Sequence, residues 1–312
     1  MQKDFYDFVV IGAGAAGLTA AQYGSRSGLD TLVIDSGEAG GQALNIFNLE
    51  NFPGFFPAVK GSDFIKNMKE QAKSFGAEIA QTSVKSIDKI KNKFVIETGK
   101  GQISAFAVLI ATGAAHKKLG VPGEKEFEGR GVSYCATCDG PFFRGGRIVV
   151  VGGGDSACDE AFYLSSLADS VILVHRRGEL RAQKAIQQKL QKAKNLTVLF
   201  NSEIQKIEGD KKVKGVAVKN SVTGKVEHLD CDAVFIFVGM NPRTDLVNML
   251  KKDEGGYLIT NYKMETVVNG IYAAGDVRAK PFRQLITAAS DGAIAAHQAH
   301  AYVTVMKNSE KN

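Results

Sequence analysis

The chain has 312 residues, enough for two domains of ordinary size, and its composition (44% hydrophobic, 23% charged) is typical of a globular protein. No apolar run is long enough to span a membrane and no basic leader precedes the apolar start, so we expect a cytoplasmic protein without a membrane partner. The net charge of +6 comes from scattered lysines rather than from a recognisable nucleic-acid module, which argues against a nucleic-acid partner.

The first predicted elements are a β-branched strand at residues 8–11, a glycine turn, and a helical run to about residue 28. The turn carries Gly12, Gly14 and Gly17. In a dinucleotide-binding unit these positions give a tight turn, bring the backbone close to a pyrophosphate at the helix N-terminus, and let helix and strand pack closely. A second strand ends at Asp35, where a carboxylate accepts hydrogen bonds from an adenosine ribose.

This unit is repeated further along the chain. A strand at residues 148–151 leads into a second turn, where Gly152, Gly154 and Ala157 align with the first three glycines at one constant offset. Asp155 and Ser156 complete this turn. A single glycine motif is weak evidence, but two copies bracketed by β-branched strands predict two dinucleotide sites.

The two copies differ where the second strand ends. His175 stands in the place of Asp35, and it is followed by a group of cations that comprises Arg176, Arg177 and Arg181. Cations suit a 2′-phosphate, which a carboxylate would repel. The sequence therefore predicts FAD in the first site and NADPH in the second, and the alternative for the arginines is a solvated loop.

The long helix predicted from about residue 283 to about residue 305 has no counterpart in the second copy, so we assign it to the first domain. The predicted fold is α/β, with two Rossmann-like three-layer dinucleotide-binding domains, the NADPH domain being inserted into the FAD domain. The FAD-binding domain would comprise residues 1–115 and 243–312, and the NADPH-binding domain residues 116–242. Short strands at about 83–103 and 203–230 would be antiparallel additions to each domain.

Two of the four cysteines, Cys135 and Cys138, form a Cys-x-x-Cys pair just ahead of the second glycine turn. Such a pair beside a βαβ unit usually indicates disulfide exchange, although half of a zinc site has the same spacing. A zinc site would need two further ligands close together, and Cys158 and Cys231 do not form a second pair, so we expect no metal. Asp139 follows directly and could protonate a departing thiolate, or could simply cap a helix or turn.

The sequence Cys-Ala-Thr-Cys-Asp-Gly, together with the second glycine turn and the arginines, resembles the low-molecular-weight thioredoxin reductases. Glu50-Asn51-Phe52-Pro53-Gly54 and Gly40-Gly41-Gln42 are similar to motifs of that family's FAD domain, as are Ala111-Thr112-Gly113 and Gly275-Asp276. The resemblance runs from about Tyr6 to about Ala301. It implies that further residues contact FAD, namely Gly41, Gln42, Asn51, Thr112, Gly275, Asp276, Arg283, Gln284 and Leu285.

The resemblance also implies the activity. Electrons would pass from NADPH through FAD and the Cys135–Cys138 disulfide to oxidised thioredoxin, with rotation of the NADPH domain between the half-reactions and a homodimeric assembly. By the same resemblance Cys138 is the sulfur nearest the flavin, and Cys135 is the default attacking thiol. The alternatives are a related flavoprotein reductase that serves ferredoxin or another thioredoxin-like carrier, and a non-catalytic redox sensor that binds both nucleotides.

Overall fold

A computed structural model describes residues 3–46, 49 and 51–311 of the chain, without the side chains of Asn45, Cys138, Glu310 and Lys311. The chain divides into two compact units. Unit 1 comprises Met1–Ala115 and Asn241–Asn312, and unit 2 comprises His116–Met240. The helix that the repeat analysis placed in the first domain lies in unit 1.

The elements of unit 1 alternate between strand and helix at first and then form a run of strands. In chain order they are β1 (Phe5–Ile11), α1 (Ala15–Arg26), β2 (Thr31–Asp35), α2 (Gly61–Ser74), β3 (Glu78–Gln81), β4 (Val84–Ile90), β5 (Lys93–Thr98), β6 (Gly101–Ile110) and β7 (Ala114–His116), the last of which ends at the first residue of unit 2.

Unit 2 repeats the strand and helix alternation and adds an antiparallel sheet. Its elements are β8 (Val132–Ser133), α3 (Ala136–Asp139), β9 (Arg147–Gly152), α4 (Asp155–Ser165), β10 (Ser170–Val174), α5 (Lys184–Leu190), β11 (Leu196–Leu199), β12 (Ser202–Gly209), β13 (Val213–Asn220), β14 (Val226–Asp230) and β15 (Ala233–Phe237). The chain then returns to unit 1 through β16 (Met240–Pro242), and continues with β17 (Ile271–Ala273) and α6 (Leu285–Lys311).

The internal repeat is visible in both parallel sheets. In unit 1 the order β3-β2-β1-β6 is parallel, and in unit 2 the order β11-β10-β9-β15 is parallel in the same way. The predicted α/β fold class is therefore confirmed. The predicted antiparallel additions are also present, as β4-β5-β6 in one unit and β12-β13-β14 in the other.

The sheet of unit 1 is covered on both faces, as in a three-layer domain. One face packs against α1, α2 and α6, with Phe8, Val10 and Leu109 buried beneath them. The other face buries side chains such as Val9 and Ile110 against β4, β5 and the segment that contains Val247. Because both faces are covered, β1, β2 and β6 are almost continuously hydrophobic.

The two connections between the units pair with each other. Strands β7 and β16 form a two-stranded sheet, flanked in unit 1 by a hydrogen bond from Arg243 N to Gly113 O and in unit 2 by one from Lys117 N to Gly239 O. Both glycines adopt positive φ angles, 67° and 112° respectively, where side chains are disfavoured. The chain thus crosses between the units at two adjacent points.

Candidate active site

The first glycine turn connects β1 to α1. Its three glycines differ in what a side chain at each position would meet. A Cβ atom at Gly12 would lie 2.3 Å from Ala111 O, and one at Gly17 would lie 1.8 Å from Gly12 O. Those two positions are closed by protein backbone. A Cβ atom at Gly14, the N-cap of α1, would meet nothing within 4 Å of the protein. The open space therefore lies at the helix N-terminus, where backbone N–H groups and the helix dipole favour a phosphate.

Asp35 ties the end of β2 to this turn. Its Oδ2 accepts a hydrogen bond of 2.7 Å from Ala13 N, and its Oδ1 accepts one of 2.9 Å from Gly37 N. The carboxylate is half-buried, and each oxygen keeps a further lone pair for a ligand hydroxyl.

A cavity of about 630 Å³ opens beside Asp35 in unit 1. It is lined by Ile11, Gly12, Ile34, Asp35, Ser36, Thr82, Ser83, Val84, Lys85, Thr112, Arg243, Asp245 and Leu246. Of these, Gly12, Asp35 and Thr112 were predicted site residues. Thr112 also donates its hydroxyl to Arg243 O at 2.6 Å. The lining residues at 82–85 and at 243–246 could not be predicted, because these segments carry no motif.

Two distant segments meet α1 at its first turn. A Cβ atom at Gly41 would lie 3.5 Å from Gly14 Cα, and one at Gly275, whose φ is +80°, would lie 3.0 Å from Ala16 Cβ. Both glycines thus permit a close approach of backbone to the nucleotide turn. Gln42, next to Gly41, donates its side-chain amide to Ala114 O.

Asp276 follows Gly275 and carries a buried carboxyl oxygen, Oδ1, that has no hydrogen-bond partner within the described part of the chain. Lys280 Nζ lies 3.9 Å from this atom. Burial raises the pKa of the Asp276 carboxyl, while Lys280 and Arg283 oppose the rise. A buried acceptor without a partner is costly, so the position suits a ligand that brings a hydroxyl donor.

Arg283 offers the complementary group. Its Nε is buried and, among the residues that the structure describes, meets no acceptor, while its guanidinium stacks 3.8 Å from the centre of the Tyr257 ring. Arg283 and Gln284 precede α6, which begins at Leu285, so the three predicted residues lie at or just before the helix N-terminus. Asn51 approaches the same place, because its Nδ2 donates to Gln284 Oε1. Glu50, in the same motif as Asn51, lies outside the described residues.

The second glycine turn repeats the arrangement between β9 and α4. A Cβ atom at Gly152 would lie 2.5 Å from Ala157 Cβ and from Phe237 O, so the first and third positions are again packed against protein. Gly154 is again open, with nothing within 4 Å of a Cβ atom. The N-terminus of α4 is thus the second place where a phosphate fits.

His175 packs over this turn. The residue is 4% exposed, and a Cβ atom at Gly153 would collide with its Nδ1. Burial is the main reason that the pKa of His175 is lowered, so the ring is neutral near pH 7. Its buried Nε2 has no hydrogen-bond partner among the described atoms.

The three arginines after His175 differ from it, because Arg176, Arg177 and Arg181 are all exposed. None of the ion pairs found in the described residues involves them. Arg181 is nevertheless tied to the turn through its backbone, since its N–H donates to Gly153 O at 2.7 Å. Asp155 holds the same loop, because its two carboxyl oxygens accept hydrogen bonds of 2.8 Å from Gln183. Ser156, beside it, is exposed.

The Cys-x-x-Cys pair lies in unit 2, with Cys135 between β8 and α3 and the backbone of residue 138 within α3. Cys135 is disulfide-bonded, and its N–H donates to Ser133 Oγ at 3.1 Å. The side chain of Cys138 lies outside the described atoms. Asp139 ends α3 and precedes a 3-10 turn, and its side chain makes no capping hydrogen bond to that turn.

The other two cysteines are free and buried. Burial raises the pKa of Cys158 to about 11 and that of Cys231 to about 12, so both stay protonated and unreactive near neutral pH. The described residues contain no group of three or more His, Cys, Asp or Glu side chains placed to hold a metal ion. The same part of the chain includes no helix long and apolar enough to span a membrane.

Two nucleotide turns and a dithiol motif define a class of protein, and comparison with known families agrees. Residues 6–293 match the family described as pyridine nucleotide-disulphide oxidoreductase, and the chain belongs to that family.

Individual relatives are similar over their full lengths. The thioredoxin reductase of Treponema pallidum is 53% identical, the match covering 99% of this chain and 100% of the relative, and that of Bacillus subtilis is 46% identical over 99% and 98%. Among solved structures, the thioredoxin reductase of Lactococcus lactis is 44% identical with a TM-score of 0.84, covering 96% of this chain and 99% of that one. The thioredoxin reductase of T. acidophilum is 38% identical, with a TM-score of 0.82 and the same coverage.

Proposed function

We infer that the chain is an NADPH-dependent thioredoxin-disulfide reductase that contains FAD. One observation carries this inference: the disulfide-bonded Cys135 lies in a Cys-x-x-Cys motif directly ahead of the second nucleotide turn, within the same unit. A pair of redox-active sulfurs on the unit that offers a nucleotide site connects a hydride donor with a disulfide acceptor. The full-length relatives named thioredoxin reductase support the same substrate.

FAD fits unit 1. The open space at Gly14 has room for its pyrophosphate. Asp35 would accept hydrogen bonds from its adenosine ribose, and the buried Oδ1 of Asp276 would accept one from a ribityl hydroxyl. The other FAD contacts are assigned to Gly12, Gly17, Gly41, Gln42, Asn51, Thr112, Gly275, Arg283, Gln284 and Leu285. When bound, FAD supplies the two-electron chemistry that links a hydride donor to a disulfide.

NADPH fits unit 2. The open N-terminus at Gly154 accepts its pyrophosphate, and the exposed cations after His175 read its 2′-phosphate. The other NADPH contacts are assigned to Gly152, Asp155, Ser156 and Ala157. Arginine suits this role because its planar guanidinium binds a phosphate through two parallel hydrogen bonds.

The dithiol performs the exchange with thioredoxin. The thiolate of Cys135 attacks one sulfur of the thioredoxin disulfide, and the other thioredoxin sulfur leaves as a thiolate. Cys138 then attacks the mixed disulfide, so that the Cys135–Cys138 disulfide reforms and thioredoxin departs as a dithiol. Asp139 directly follows Cys138 and is assigned to supply the proton that a departing thiolate needs.

We propose that unit 2 rotates about the two linkers, β7 and β16, between its half-reactions. The dithiol and the NADPH site belong to one unit and the FAD site to the other, so each must use the same flavin in turn. The adjacent crossing points, each bordered by a glycine with positive φ, suit a hinge. We also propose that the protein acts as a homodimer in the cytoplasm, where thioredoxin disulfides are reduced.

The electron donor distinguishes the alternatives experimentally. The FAD-loaded protein is given NADPH, NADH or reduced ferredoxin in turn, with oxidised thioredoxin as the acceptor. We expect sustained reduction of thioredoxin with NADPH and little with the other two donors, because the exposed arginines after His175 can bind a 2′-phosphate. Preference for ferredoxin would favour the ferredoxin-linked reductase, and the absence of turnover with every donor would favour the redox sensor.

A further inference from the structure

A buried lysine lies beside the proposed FAD acceptor Asp276. The side chain of Lys280 is only 6% exposed. Its Nζ donates to Asp291 Oδ2 at 3.0 Å and to Thr287 Oγ1 at 3.2 Å. Lysine is seldom buried to this extent, since desolvating an ammonium group is costly unless partners offset the cost. The position of Lys280 therefore calls for a reason beyond packing.

Asp291 does not explain it alone, because this carboxylate already has other partners. Its Oδ1 accepts a hydrogen bond of 2.8 Å from Arg278 NH1, and its Oδ2 accepts one of 3.1 Å from Gly275 N as well as that of Lys280. Arg278 alone would neutralise the charge of Asp291. The positive charge of Lys280 is thus left over for another group.

That other group is Asp276. Its Oδ1, without a hydrogen bond in the described structure, lies 3.9 Å from Lys280 Nζ, too far for a hydrogen bond but close enough for a strong charge interaction. Arg283 adds a second positive charge near the same carboxyl. Lys280 is therefore fixed next to Asp276 without occupying its acceptor oxygen.

We propose that Lys280 is a positioning residue for FAD: held by Asp291 and Thr287, it keeps the buried Asp276 carboxylate charged, so that Oδ1 stays free to accept a hydrogen bond from the bound flavin nucleotide. The inference deepens the proposed function and rests on FAD binding by unit 1. A charged acceptor forms a stronger hydrogen bond than a neutral one, so removal of the lysine charge weakens the hold on FAD.

The charges around Asp276 support this role. Burial raises the pKa of its carboxyl, Asp291 raises it further, and Lys280 and Arg283 lower it, with Lys280 the larger of the two. Without Lys280 the pKa rises, and the carboxyl takes up a proton at a higher pH. The pH at which FAD affinity is lost on acidification should therefore also be higher without Lys280.

The test is a double-mutant cycle on the full chain after removal of flavin, with FAD binding followed by flavin fluorescence between pH 6 and 8.5. We expect Lys280→Met and Asp276→Asn each to raise the Kd for FAD about tenfold or more at pH 7. The double variant should bind no more weakly than Asp276→Asn alone. In Lys280→Met the affinity should begin to fall at a higher pH than in the wild type, and Lys280→Arg should restore most of the affinity.

A matched control is Lys307→Met, which removes another lysine of unit 1 from an ion pair with a buried aspartate, Asp7, and should leave the Kd unchanged. If Lys280→Met does not fold, Lys280→Gln takes its place in the cycle, since it keeps a donor for Asp291 without the charge. The inference would be overturned if the fold-increases in Kd of the two single variants multiplied in the double variant, or if the pH profile of Lys280→Met were unchanged. Either result would leave the proposed function standing. A wild-type protein that does not bind FAD would overturn the proposed function and the inference with it.

Discussion

Asn51 and Gln284, which stand 233 positions apart, are joined by a hydrogen bond of 3.1 Å from Asn51 Nδ2 to Gln284 Oε1. Both side chains are exposed. The bond leaves Asn51 with a free acceptor and Gln284 with a free donor. That combination complements a ring edge with adjacent N–H and C=O groups, such as the pyrimidine edge of a flavin. Two residues that the sequence assigned to one ligand thus present matching groups side by side.

Substitutions at two glycines of the first turn should separate an effect on ligand binding from an effect on folding. Gly14 has an extended backbone (φ −73°, ψ −174°) and open space around its Cβ position, so Gly14→Val should fold normally but exclude the FAD pyrophosphate. Gly17→Val should instead destabilise the fold by about 3 kcal/mol or more, because its Cβ would overlap Gly12 O. Flavin absorbance per chain and urea unfolding measure the two effects. Full flavin content in Gly14→Val would remove Gly14 from the site.

The arginines after His175 should determine the choice of nicotinamide nucleotide. Arg176→Ala with Arg177→Ala should raise the KM for NADPH by on the order of tenfold or more for each lost hydrogen bond, with little change for NADH. Because both side chains are exposed and outside the described ion pairs, stability should hardly change. Lys219→Ala, which removes another exposed cation of unit 2, is the control. An equal loss for both nucleotides would show that the arginines do not read the 2′-phosphate.

The residue before the dithiol motif should contribute to stability in a pH-dependent way. Tyr134 donates its hydroxyl at 2.7 Å to Glu124, a buried carboxylate that also accepts from Leu119 N and Gly120 N. Tyr134→Phe should lower the free energy of unfolding by about 1–3 kcal/mol at pH 7.

The pH dependence follows from the pKa of Tyr134, which burial and the bond to Glu124 raise above its ordinary value of 10.0. The contribution is fully present below pH 10 and declines at higher pH, since the unfolded chain then loses the tyrosine proton that the folded chain retains. Urea unfolding at pH 7 and above pH 10 measures it, with Tyr262→Phe, at an exposed tyrosine, as the control. A difference that grows with pH would contradict this assignment.

Only two of the four thiols should react quickly in the reduced, folded protein. Cys158 and Cys231 are buried and have raised pKa values, whereas Cys135 takes part in a disulfide and is only half-buried. Titration with a chromogenic disulfide should give two fast thiols for the wild type, one for Cys135→Ser and one for Cys138→Ser. Cys158→Ser should still give two. Fast reaction of three or four thiols would show that the buried cysteines are accessible.

The repeated fold could be predicted from the sequence because its signals are local. Each glycine turn lies between β-branched strands, and the two parallel sheets confirm the repeat. The last helix was predicted at about residues 283–305, and it runs from Leu285 to Lys311. Its end depends on tertiary contacts such as the ion pair between Lys307 and Asp7, which no local pattern indicates.

The site could be predicted less completely, because part of it depends on contacts between distant residues. Lys280 and Asp291 belong to no motif, and only the fold brings them next to Asp276. The alignment with Asp35 placed His175 at the end of the second strand, but it did not indicate that the residue is buried against Gly153. A side chain that packs on a glycine two elements away leaves no periodic signal in the sequence.

The central claim is that electrons from NADPH leave the protein through Cys135 and Cys138 to thioredoxin. The most direct measurement counts, under anaerobic conditions, the thiols that appear on thioredoxin for each NADPH consumed by the FAD-loaded protein. We predict two thiols per NADPH for the wild type, and none for a variant with serine at both cysteines. Thiol formation by the double-serine variant, or NADPH consumption by the wild type without thiols on thioredoxin, would contradict the claim.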